Sequence, residues 1–138
     1  MVYDDLSIPL KDDPNPLVIR YDQRSKITGI SIQNCSSTDF AINDSFLSQC
    51  EYLDLVNLYG IKHEVKSVGN NFLFGCTRLQ SVDLSPFDKV TAVGDNFMRS
   101  CSSLQFIEMY LWDDVTNFEL TTIGNNFLLD CEKIYEID

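Results

Sequence analysis

The sequence is short of basic residues, of histidine and of the common nucleotide-binding signatures. Lys and Arg number 10 against 21 Asp and Glu, a formal net charge of -11. Nucleic acids and anionic membrane surfaces both reward positive charge, so neither fits as a partner. No apolar run approaches the roughly 18 residues of a membrane-spanning helix, which argues against membrane insertion. The stretch "MVYDDLSIPLKDD" is acidic and lacks the apolar centre of a signal peptide. Neither G-x-x-x-x-G-K-[ST] nor G-x-G-x-x-G occurs, so no phosphate-cradling loop is read here. His63 is the sole histidine, set between Lys62 and Glu64, with no Ser or Cys placed around it in a catalytic pattern. The cysteines are Cys35, Cys50, Cys76, Cys101 and Cys131, and none stands in a C-x-x-C pair, so zinc-ribbon spacing is missing. Their odd number fits free thiols better than a complete disulfide framework, which slightly favours the cytoplasm over the cell surface or secretion. These absences leave no catalytic residue, metal ligand or cofactor to assign, and the expectation is a protein that is not an enzyme.

What the chain does have is a recurring segment. "VGNNFLFGCTRL" starts at Val68, "VGDNFMRSCSSL" at Val93 and "IGNNFLLDCEKI" at Ile123. With the cysteine as anchor, Phe46, Phe72, Phe97 and Phe127 stand four positions before it. Ile42, Val68, Val93 and Ile123 stand eight before. Leu53, Leu79, Leu104 and Ile134 follow at plus three, Val56, Val82, Ile107 and Ile137 at plus six, and Leu58, Leu84 and Met109 at plus eight. The anchors Cys50, Cys76, Cys101 and Cys131 lie 26, 25 and 30 residues apart. Such periods mean a stacked array of one supersecondary unit. A degenerate earlier unit has Arg24 in the anchor place, with Ile27, Ile30 and Ile32 in the apolar places and Arg20 in place of the phenylalanine. Cys35 then falls where later units carry Ile61, Phe87 and Trp112, which reads as a small buried hydrophobe.

Each unit has a local physical reading. Its L-x-x-V-x-L part ends in period-two alternation, a short strand with one buried face. The segment running to the cysteine has apolar residues at i, i+4 and i+8, which predicts one or two helical turns. Gly69, Gly94 and Gly124 open it and permit either a positive φ or a close backbone approach. Asn71, Asn96 and Asn126, or their neighbours, can satisfy loop backbone groups. One unit cannot bury its own apolar face. Stacking aligns the strands into a parallel sheet with a spacing of about 4.8 Å and puts phenylalanine on phenylalanine and thiol on thiol. A buried, reduced thiol ladder is expected, because four equivalent positions would have to pair unevenly to form disulfides.

The unit I/V-G-x-N-F-L-x-x-C-x-x-L-x-x-V-x-L resembles the BspA-like, or Treponema pallidum type, leucine-rich repeats. The likeness spans roughly residues 20–138. The periods here are longer than is usual for that type, and the first unit lacks its cysteine. The resemblance implies an α/β repeat fold: a leucine-rich-repeat solenoid with a short parallel β-sheet on one face and short helical turns and loops on the other. Residues 1–16 read as an N-terminal flank, and 17–138 as the solenoid, whose last unit is cut short mid-strand. An open last strand implies either a longer parent array or end-to-end self-association. For function, the resemblance implies protein binding and, for some members, adhesion to host or matrix proteins at a cell surface.

In a solenoid the outward residues of the strands form the natural binding surface. Here they stand five, seven and nine positions after each anchor: Gly29, Ser31 and Gln33; Leu55, Asn57 and Tyr59; Ser81, Asp83 and Ser85; Phe106, Glu108 and Tyr110; Glu136 and Asp138. The central stripe is Asn57, Asp83, Glu108 and Asp138, flanked by Leu55, Tyr59, Phe106 and Tyr110. Aromatics beside charge are what interface hot spots look like, so these residues are the expected partner-binding set. The acidity favours a basic protein partner. Readings with less support are a cation held by Asp83, Glu108 and Asp138, and a hydrolase using the stripe as paired carboxylates. The fourth unit is longer, within "YLWDDVTNFELTT", and Trp112 and Phe118 mark that insertion as an alternative functional edge.

Overall fold

The computed structural model describes residues 6–8, 24–32, 40–59, 65–109 and 119–137. Its regular elements are ten short strands: β1 (Leu6–Ile8), β2 (Gly29–Ile32), β3 (Phe40–Ile42), β4 (Leu55–Asn57), β5 (Val65–Val68), β6 (Ser81–Asp83), β7 (Ala92–Val93), β8 (Phe106–Glu108), β9 (Thr122–Ile123) and β10 (Glu136–Ile137). All pairings are parallel, as stacked identical units require. The molecule is a parallel β-solenoid. Among the described residues helix is limited to 3-10 turns, of which Ser85–Phe87, with Pro86 in its first turn, is described in full.

The strand expected after each cysteine forms in the expected register. Val82 pairs with Ile107 and Asp83 with Glu108, while Ile30 pairs with Val56. Along β4 and β6 the central residue is buried and the first is exposed, so the alternation read from the sequence holds. Leu6–Ile8, inside the stretch read as a flank, also pairs with β2. Below this sheet lie Phe46, Phe72, Phe87 and Phe97, with Leu53, Leu79 and Leu104, all buried. Phe72, Phe97 and Phe127 stack at centroid separations of 5.2 and 5.1 Å. Phe87 closes on Phe72 at 5.6 Å. Burying each such ring contributes about 1.5–3 kcal/mol, so the ladder carries much of the core's stability.

Two expectations are corrected. The positions eight before each cysteine belong to a second parallel sheet, in the order β3-β5-β7-β9. The segment between that strand and the cysteine forms an arch, not helical turns. Every second residue of the arch has positive φ: Ser45, Leu47 and Gln49; Asn71, Leu73 and Gly75; Asn96, Met98 and Ser100; Asn126, Leu128 and Asp130. An α-helix needs uniformly negative φ. The arch N–H groups bond between coils instead of back along their own. Asn71 N donates to Asp95 O (2.8 Å) and Gly75 N to Arg99 O (2.8 Å), both in the next coil, while Met98 N donates to Phe72 O (2.7 Å) in the one before. Left-handed backbone at Leu47, Leu73 and Met98 costs about 1–2 kcal/mol each. Full burial of those side chains and the inter-coil bonds offset it.

Candidate functional site

The outward face of the first sheet is built by the alternation of β4, β6 and β8. Leu55 is 55% exposed and Tyr59 45%, and Asn57 is exposed too. Asp83, Phe106 and Glu108 are half-buried. Tyr59 Oη donates to Asp83 Oδ2 at 2.6 Å, tying one coil to the next across the face. Asp83 Oδ1 accepts from Ser85 N (2.9 Å), and Asn57 Oδ1 accepts from Tyr59 N (3.0 Å). The stripe therefore comes together as far as Glu108. Tyr110 and Asp138 lie outside the described residues, as do Gln33, Cys35, Ile61, His63, Trp112, Phe118 and the early-unit Arg20.

Two members of the wider face are not on it. Gly29 is buried, and Ser85 is wholly buried in the 3-10 turn, because Pro86 bends the chain inward right after β6. Ser31 is half-buried, while Ser81 and Glu136 are exposed. Sequence reasoning missed Asp54. It precedes β4 and, with Leu55, Ser81, Asp83, Phe106 and Glu108, lines a depression of about 210 Å³. Only its charge beside an exposed Leu55 could have drawn attention to it.

The sheet is interrupted at that depression. β1-β2-β4 form one ladder and β6-β8-β10 another, with no backbone ladder joining β4 to β6. Elsewhere the connection is regular: Gln105 N donates to Gln80 O and Tyr135 N to Gln105 O.

Behind the arch runs the thiol spine. Cys76 Sγ donates to Leu47 O (3.0 Å), Cys101 Sγ to Leu73 O (3.1 Å) and Cys131 Sγ to Met98 O (3.0 Å). All four thiols are free; Cys50, Cys76 and Cys101 are buried, while Cys131 is only half-buried, against expectation. Burial pushes Cys50 up to about 11, with Arg24 opposing, and raises Cys76 further. The neighbouring Cys131 thiol, together with burial, raises Cys101, and the Cys101 thiol in turn lowers Cys131. Raised thiols are protonated, poor nucleophiles, which suits a packing role. Arg24, at the anchor of the degenerate unit, donates to Ser45 O (2.9 Å) and to Ser48 O, and so meets carbonyls of the arch that follows it.

Among the described residues no three His, Cys, Asp or Glu side chains gather as a metal site, and no helix is long and apolar enough to cross a membrane. No protein-family model, curated protein or solved structure matches the chain.

Proposed function

We propose that the chain is a non-enzymatic protein-interaction module that binds a partner through the outward face of β4, β6 and β8, on a solenoid that is a variant of the BspA-like leucine-rich repeat. The observation that supports it most is the pairing of exposed Leu55 and Tyr59 with an acidic, half-buried row on one sheet face. The acidity favours a basic partner. Solenoid faces of this kind offer extended binding area, and an exposed aromatic at the centre is a typical anchor. The carboxylates around the depression would also start a hydrolytic reading. Asp83 counts against it, since both its oxygens are engaged by Tyr59 and Ser85.

The test is affinity capture from the source cell with the wild-type chain and with a Leu55→Ala/Tyr59→Ala double variant, followed by titration of the captured protein. The reading expects at least roughly tenfold weaker binding, since truncating one hot-spot side chain costs about 2 kcal/mol or more. Equal affinity of both chains would move the site off this face, with the insertion around Trp112 as the next place to look.

A further inference from the structure

The interruption between β4 and β6 is not a general property of the fold. β2 with β4, and β6 with β8, pair through three residues each. At the seam, main-chain groups along the facing edges have no ladder partner, and the surface sinks into the depression. Its lining combines apolar Leu55 and Phe106 with the carboxylates of Asp54, Asp83 and Glu108, and includes no basic residue. Asp83 is held by Tyr59 and Ser85, whereas the carboxylates of Asp54 and Glu108 have no bond or ion pair among the described residues. The seam thus presents acceptors of uniform charge beside apolar surface.

Resting on the reading of this face as a binding surface, we propose that the seam between β4 and β6 seats an arginine side chain from an extended, basic segment of a partner protein. Charge complementarity selects the sign. The guanidinium group selects arginine over lysine: it carries five donors and no acceptor, takes carboxylates in bidentate fashion and stacks on aromatic rings such as Phe106. Its aliphatic stem covers Leu55 while the head meets Asp54 and Glu108.

The experiment is an amide-resolved NMR titration of the full chain with the peptide acetyl-Ala-Ser-Arg-Ser-Ala-amide. Its lysine and citrulline counterparts are run in parallel; citrulline keeps the shape and loses the charge. Saturable shifts should appear at residues 55–57, 81–83 and 106–108, strongest with arginine and absent with citrulline. Asp54→Asn and Glu108→Gln should each weaken arginine-peptide binding roughly tenfold, the size of a charge-assisted hydrogen bond. Glu51→Gln and Glu132→Gln, which remove the same charge elsewhere, should not. Citrulline or lysine binding as well as arginine, shifts centred elsewhere, or equal loss in the control variants would each overturn the proposal. If the peptide fails while Leu55→Ala/Tyr59→Ala still loses the captured partner, the arginine seat is wrong and the binding face stands.

Discussion

Gly69, Gly94 and Gly124 are each explained by the neighbour one coil back. Asn70 Oδ1 accepts from Asp95 N, Asp95 Oδ1 from Asn125 N, and Asp44 Oδ1 from Asn70 N, each at 2.8 Å. That Asx side chain passes directly under the next coil's glycine. A Cβ added to Gly94 would lie 2.8 Å from Asn70 N and closer still to its Oδ1. Gly69 and Gly94 therefore serve close approach; their φ is not positive. The following asparagines form a second ladder, Asn96 Nδ2 to Asn71 Oδ1 and Asn126 Nδ2 to Asn96 Oδ1, both 2.9 Å. Gly94→Ala should destabilise the fold by about 1–3 kcal/mol, the usual cost of overpacking. Asn43, the equivalent position in the earlier coil, already carries an exposed side chain. Asn43→Ala should stay within about 0.5 kcal/mol. Urea melts of the two variants check this; equal losses would remove the Asx contact as the cause.

At the scale of the element, the strand after each cysteine was legible because apolar and polar residues alternate with period two. The arch was not. Val68, Phe72 and Cys76 are spaced like one face of a helix, and all three are buried. Buried spacing alone does not reveal that every second φ is positive, nor that the N–H groups bond across coils. The second sheet was hidden because β7 and β9 are two residues long, too short for any alternation. Thiol stacking was legible from the repeat, and its consequence is a pH dependence. Cys50 ionises near the ordinary thiol value of 9.0 when unfolded and near 11 when folded. A raised folded pKa favours the neutral form, so its stabilising effect is complete below pH 9 and fades as pH rises toward 11. The urea midpoint should fall across that window, and the fall should shrink in Cys50→Ala. A midpoint that does not change from pH 8 to 11 would show that the thiols titrate normally.

For the whole molecule, the repeat foretold a stack of coils with in-register strands, and most of the candidate face followed from that register. Two features did not follow. The seam between β4 and β6 has no sequence mark, since Leu55, Val56 and Asn57 look as pairable as Phe106, Ile107 and Glu108. The inward turn of Ser85 depends on Pro86, a residue the other units do not carry at that place. The last coil is also more open than its predecessors: Ile123 and Ile137 are each 53% exposed, because burial in a solenoid comes from neighbours on both sides. The arch, with its Asx, Phe and Cys ladders, holds the coils together, and the outward strands carry the face proposed to bind a partner. Amide hydrogen exchange of the chain, free and bound to its captured partner, tests that division most directly. Binding should slow exchange at residues 55–57, 81–83 and 106–108 and leave the arches at 45–49, 71–75 and 96–100 as they were; slowing centred on the arches, with the strands unchanged, would contradict it.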